Sequence, residues 1–150
     1  MRELELRTIL VPVDFTETSD RALDYAVALA AKFQAKVFVM HAYEIPIYGF
    51  PDGAFVATGD VAARLATAAE KALDSLVRSR SDAGVPIVAA LRTGVPWEEA
   101  NAYASEIDAD LIVIGTHGRR GLARALLGSV SEQVIRTTPR PVLVIHGPRE

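Results

Sequence analysis

The residues with the most chemical content in this sequence form two clusters in its last third. The first is Gly115-Thr116-His117-Gly118-Arg119-Arg120-Gly121, directly after the apolar run Leu111-Ile112-Val113-Ile114. The second is Gly128-Ser129-Val130-Ser131, where a segment of helical spacing begins. A glycine-containing turn after a buried strand lets backbone N–H groups come close to an anion. A helix N-terminus adds further N–H groups and a favourable dipole. Arg119, Arg120 and Arg124 fall between the two clusters. The chemistry on offer is the holding of a polyphosphate. Neither standard phosphate fingerprint is present. There is no GxxxxGK(S/T), which excludes a P-loop, and no GxGxxG follows the first apolar run, which argues against a dinucleotide site.

Other candidates follow the first two apolar runs: Asp14-Phe15-Thr16-Glu17-Thr18 and His41-Ala42-Tyr43. Each has a plainer reading. Asp14 either joins a site or merely fixes its loop and caps the next helix. Ser129 reads as a helix N-cap, which is compatible with phosphate contact because both use an exposed first turn. His117 reads as a hydrogen-bond donor or solvent-facing group, His41 as a packed histidine, and His146 as exposed. No His/Asp/Glu cluster has metal-ligand spacing. Glu98, Glu99 and Trp97 are expected to serve their own helix alone.

The elements that must position these residues follow from apolar patterning. Nearly continuous β-branched runs occur at residues 8–13, 36–40, 85–88, 111–114 and 141–145. Continuous rather than alternating runs are how strands buried on both faces read. Between them lie four helical segments. The first carries Ala22, Tyr25, Ala26, Leu29 and Phe33 at helical spacing, with Thr18 or Ser19 as N-cap and Asp20 in the first turn. The second runs from about Val61 to Ala83 and stops at Gly84. The third starts at Pro96, with Glu98 and Glu99 at its positive end. The fourth starts near Ser129, where Ser129-Val130-Ser131-Glu132 matches a capping box, and ends before Pro139 and Pro141. Alternating strands and helices imply a parallel sheet with helices on both faces, and right-handed crossovers leave few topologies. In such sheets ligands bind beyond the C-terminal strand ends, where the strand order reverses. The connection from Glu44 to about Asp60 is too long for a simple loop. It reads equally as a flap over one end of the sheet and as a lid over a ligand or partner.

Composition bounds the function. The chain has 150 residues, 50% of them hydrophobic and 23% charged, which is the balance of one compact domain. With 16 basic and 19 acidic side chains its formal net charge is -3, which weighs against a general nucleic-acid binder. Cysteine is absent, so there is no disulfide framework, thiolate metal site or cysteine nucleophile. No segment approaches the ~18 consecutive apolar residues of a membrane span. The start, Met1 to Arg7, lacks the basic region and apolar core of a signal peptide. The expectation is a cytoplasmic protein with no membrane partner.

Gly115-Thr116-His117-Gly118, nine residues, then Gly128-Ser129 resembles the G-x2-G-x9-G-(S/T) signature of the universal stress protein family. Val11-Pro12-Val13-Asp14-Phe15 resembles that family's first-strand end, Asp110 to Gly115 its fourth strand, and Pro139 to Ile145 its last. The resemblance covers essentially the whole chain, as one domain over 1–150. It implies an open parallel five-stranded sheet of order 3-2-1-4-5, of the adenine nucleotide alpha hydrolase-like kind. In the signature-bearing branch it also implies binding of ATP, with Mg2+ held through the phosphates. Carried over position by position, Asp14 matches the aspartate at the ribose and adenine end, expected as a buried carboxylate. Pro12 and Val13 match residues lining that pocket, and Ala42 the small residue whose backbone reads the adenine. Gly115, His117, Gly118 and Arg119 match the phosphate loop. Gly128, Ser129, Val130 and Ser131 match the stretch holding the β- and γ-phosphates. The 44–60 segment is the poorly matched part.

Three functions compete. The first is a regulatory module that binds ATP as a ligand. The second is a slow ATP hydrolase; hydrolysis needs an oriented water, and no committed base is evident beyond His117 or Asp14. The third is an interaction module without nucleotide, against which the intact glycines argue. The last strand, Val142 to Ile145, would lie at the sheet edge with four aliphatic residues and no lysine. Bare edges invite pairing, and the resemblance also implies a homodimer through this strand. Against it, Pro139, Pro141 and Pro148 limit edge pairing, and the alternative is a monomer.

Overall fold

The computed structural model describes residues 3–45, 59–116 and 129–147, together with the backbone of 48–49 and 55–56. Five parallel strands make the main sheet: β1 (Thr8–Pro12), β2 (Lys36–Tyr43), β5 (Ile87–Thr93), β6 (Leu111–Gly115) and β7 (Val142–Ile145), in spatial order β5-β2-β1-β6-β7. Counted along the chain, that is the expected 3-2-1-4-5. β3 (Tyr48–Gly49) and β4 (Phe55–Val56) form a separate antiparallel pair inside the long connection, a ladder that the loop reading did not anticipate.

The helices are α1 (Glu17–Phe33), α2 (Gly59–Arg78), α3 (Pro96–Glu106) and α4 (Ser129–Thr137). They divide between the two faces because successive strand side chains point to opposite sides. Ile9, Val11, Val37, Val39 and Val113 pack with Ala22, Leu23 and Ala26 of α1 and Leu73 of α2. Leu10, Met40, Ile112 and Ile114 pack with Ala100 and Ala104 of α3 and Val134 of α4. Ile9, Leu10 and Ile112 are fully buried, each worth about 1.5–3 kcal/mol of transfer free energy.

The helix boundaries correct several sequence expectations. Thr16, not Thr18 or Ser19, caps α1, its hydroxyl accepting from the Ser19 N–H. Thr18 and Ser19 are buried within the first turn. The buried stripe of α1 is Ala22, Leu23, Ala26, Val27 and Ala30, whereas Tyr25 and Phe33 are exposed. Its small residues let the helix lie close to the sheet. α2 stops at Arg78, and a short 3-10 turn, Ser81–Ala83, intervenes before Gly84, whose φ of 69° closes it. Arg80 anchors that junction, donating to Asp20 Oδ1 at 2.7 Å and Asp24 Oδ1 at 3.0 Å on α1. β5 runs on to Thr93, well past the expected 85–88. α4 is described from Ser129 onward, near the expected start, and Glu132 pairs with Arg136 one turn later at 2.6 Å. β7 lies at one edge of the sheet and β5 at the other.

Candidate functional site

β1 and β6 are neighbours in the sheet, but the chain moves away from β1 in opposite directions on its two sides. The crossovers above β1 and β6 therefore part at their C-terminal ends, as expected at such a reversal. A cleft opens there, holding roughly 590 Å³ of empty space with its solvent mouth included. Pro12, Val13 and Asp14 form one wall, Ile114 and Gly115 the facing wall. Met40, His41 and Ala42 come from β2, Pro96 opens α3, Val130 and Ser131 come from α4, and Ser19 from α1. Most of these side chains are apolar, with a few polar groups converging, which is the usual make-up of a small-molecule site.

The turn from β1 into α1 is tightly held. Asp14 Oδ1 accepts from the Thr16 N–H at 3.1 Å and from the Thr16 hydroxyl. The Asp14 N–H donates to Ser19 Oγ at 3.3 Å, and Ser19 Oγ donates to the Thr16 carbonyl at 3.1 Å. Asp14 is exposed at the rim, which corrects the expectation of a buried carboxylate. It fixes the loop and borders the cleft at once. Phe15 takes a left-handed backbone, φ 64°, which is rare for a bulky side chain. Its ring lies against His41, centroids 4.4 Å apart. His41 Nδ1 donates to the Val13 carbonyl at 2.7 Å. The packed reading of His41 thus holds, but the residue also lines the cleft.

Ala42 contributes main chain. In β2 the backbone groups of successive residues alternate between the two neighbouring strands. The Met40 carbonyl accepts from the Val13 N–H at 2.8 Å, so Met40 faces the β1 side, and the Tyr43 carbonyl accepts from the Gly94 N–H just beyond β5. By the same alternation Ala42 turns its N–H and C=O toward the β1 side. β1 ends at Pro12, so these groups look into the cleft.

On the facing wall, Gly115 is a point of close approach. A Cβ there would stand 2.8 Å from the Thr18 carbonyl oxygen and 2.9 Å from its carbon. Glycine thus lets the first turn of α1 sit on the end of β6. Ser131, 3% exposed, donates its hydroxyl to the Gly115 carbonyl at 2.7 Å, tying α4 to the same strand end. That proton is spent on the tether; among the described residues, the amides at the start of α4 are donors of the kind that suit an anion. Ser129 is exposed at the helix start. Thr116 is buried and its hydroxyl lies 3.2 Å from His146 Nδ1, giving that exposed histidine a partner.

The structure therefore gathers Pro12, Val13, Asp14, Ala42, Gly115, Val130 and Ser131 around one cleft. His117, Gly118, Arg119 and Gly128, with Arg120 and Arg124, lie outside the described residues. Sequence reasoning missed Ser19, Met40, Pro96 and Ile114, which reach the cleft only through tertiary packing. The end-of-strand rule that picked out Ala42 could have taken in Met40 as well. Glu99 does not serve α3 alone. It accepts from Arg92 Nε at 2.6 Å, while both Arg92 terminal nitrogens bind Glu106 at 2.8 and 2.9 Å. These bonds raise the Arg92 pKa and hold the Glu106 carboxyl below its ordinary range. Trp97 packs into the core beneath α3 and α4. Among the described residues, no group of three or more His, Asp or Glu side chains is placed to hold a metal ion. No described helix is long and apolar enough to cross a membrane.

Comparison with known proteins fits this geometry. The family model of the universal stress proteins matches residues 5–146. Universal stress protein MJ0531 of Methanocaldococcus jannaschii is 34% identical over 146 residues, spanning 96% of this chain and 84% of its own. The solved structure of MJ0577, from the same organism, superposes with a TM-score of 0.82 at 27% identity, covering 98% of this chain and all of that one. A universal stress protein solved in complex with cAMP superposes with a TM-score of 0.67 at 28% identity, over 97% of this chain and 100% of that one. With the sheet order, the end-of-strand cleft and this match in agreement, the chain belongs to the universal stress protein family.

Proposed function

We propose that this protein binds ATP in the cleft between β1 and β6, as a regulatory ligand. The observation that carries the reading is the cleft itself. It combines an apolar lining, outward-facing Ala42 main-chain groups, the Asp14 carboxylate at the rim and the start of α4 at the far side. An adenine would lie between Val13, Met40 and Ile114 and exchange hydrogen bonds with Ala42. Asp14 would take the ribose hydroxyls. The triphosphate would run toward Gly115, the 117–128 segment and the first amides of α4, with Mg2+ held by the phosphates. The cAMP complex of a related universal stress protein supports an adenine nucleotide in this family.

A ligand role is favoured over turnover. Among the described residues the carboxylate lining the cleft is Asp14, and its Oδ1 already accepts from Thr16. A general base must reach the water attacking the γ-phosphate, and in this reading the Asp14 carboxylate sits at the ribose end. The protein would act in the cytoplasm. It would dimerise by pairing β7 with the same edge of a second copy, an arrangement that is self-complementary; Val144→Lys would then shift the particle toward monomer.

The test uses purified protein and calorimetry with ATP and Mg2+. Gly118→Val and Gly128→Val are expected to abolish or strongly weaken ATP binding and leave the circular dichroism spectrum unchanged. Unchanged affinity in both variants would remove the triphosphate path from this segment. A turnover assay separates ligand from slow hydrolase.

A further inference from the structure

We propose that His41 is the positioning residue of the nucleoside end of the cleft: it holds Phe15 in its left-handed conformation and so keeps Asp14 at the rim. The inference rests on the nucleotide reading above and adds a device that orients its ligand.

The β1–α1 turn contains no glycine, yet Phe15 adopts φ 64°. An aromatic residue holds that conformation only when its surroundings over-determine it. Two constraints are visible. Thr16, on the far side of Phe15, is fixed by Asp14 Oδ1. The Phe15 ring is seated on the His41 ring, which is locked in turn by its bond to the Val13 carbonyl. A carbonyl only accepts, so Nδ1 carries the imidazole proton. Val13, whose N–H is bound to Met40, thus anchors the histidine on which Phe15, two residues further on, must rest. The loop closes on itself through β2. Asp14 is the residue enclosed by this closure, and it is the one whose carboxylate borders the cleft. Releasing Phe15 to an ordinary negative φ would rotate the peptide between Asp14 and Phe15 and move the carboxylate.

A merely packed histidine would cost stability and weaken every ligand alike. A positioning histidine acts through Phe15 and on the nucleoside end only. Replacing Phe15 by glycine makes the left-handed backbone accessible without a ring to seat, so His41 should then lose its influence.

Calorimetric titrations of wild type, H41A, F15G and the double variant with ATP, adenosine and inorganic tripolyphosphate separate the two. H41A is expected to weaken ATP and adenosine about fivefold or more, and tripolyphosphate less than about twofold. In the F15G background H41A should cost less than about twofold for any probe. Additive losses, or an equal loss for tripolyphosphate, would overturn the positioning role. Should H41A fail to fold, H41N, which keeps a donor for Val13, replaces it. If the wild type bound none of the probes, the nucleotide reading would fall on its own. The positioning claim would then be decided in the free protein by imidazole 15N NMR and amide exchange. A proton on Nδ1 of His41, with Phe15 and Thr16 amides whose exchange H41A accelerates, supports it. A proton on Nε2 or unchanged exchange overturns it.

Discussion

Gly115→Ala is the most incisive single change, because it adds one methyl group at the point where β6, α1 and the cleft meet. The added Cβ would lie 2.8 Å from the Thr18 carbonyl oxygen and 2.9 Å from both the carbonyl carbon and Cγ2. Ordinary contact begins at 3.4 Å, so the first turn of α1 must retreat by about 0.6 Å. Two of the three blocking atoms are main chain, and that turn is pinned by the Thr16 cap and the Asp14–Ser19 bond. No flexible side-chain end can absorb the strain. Overpacking of this kind costs about 1–3 kcal/mol. The opposing gain from restricting the unfolded chain is only about 0.4–1 kcal/mol. A net loss of about 1–2 kcal/mol should appear in urea denaturation as a lowered midpoint with an unchanged slope. The control is Gly59→Ala at the start of α2, where an added Cβ meets nothing within 4 Å. That variant should be neutral or slightly stabilised. If Gly115→Ala were as stable as the parent, α1 would not sit on the end of β6 as described, and the cleft wall built from that contact would be wrong.

Gln34 ends α1 with φ 57°, a conformation that glycine takes more readily. Gln34→Gly should therefore raise stability by roughly 0.5–1 kcal/mol in the same denaturation assay, and a loss would show that the glutamine side chain matters. The Arg92 clip predicts a pH dependence. Its hydrogen bonds lower the folded pKa of Glu106, so that stability is fully present above the ordinary glutamate range and is lost as pH falls through the lowered value. Melting temperatures of the parent and Glu106→Gln should differ at neutral pH and converge in acid; a constant difference would refute the pairing.

The fold was legible because its central strands, β1, β2 and β6, are mostly buried on both faces. Runs such as Leu111 to Ile114 leave no polar alternation, and that signals a parallel sheet without any tertiary information. The strand-end rule then picked out Asp14, Ala42 and Gly115, which depend on local position. It was silent on Pro96, which starts a helix and reaches the cleft only because α3 crosses to the other face of the sheet. The cap of α1 is not fixed by the sequence, for a related reason. Thr16, Thr18 and Ser19 are all capping residue types, and the choice is made by β6, which requires Thr18 inside the first turn against Gly115. Hydrophobic spacing puts Tyr25 and Phe33 in the α1 stripe because it favours large side chains. The sheet instead selects Leu23, Val27 and the alanines, which fit the narrow gap between helix and strands. The role of Phe15 has no sequence signal at all, since a left-handed aromatic is stable only through a contact made across to His41.

Backbone amide NMR during an ATP titration shows whether the cleft at the strand reversal receives an adenine nucleotide. Saturable shifts are expected at Val13, Ala42, Gly115, Val130 and Ser131, with none on the outer groove of α2 lined by Lys71, Asp74, Ser75, Arg78 and Ser79. Saturable shifts confined to that groove, or no shifts at millimolar ATP, would contradict it.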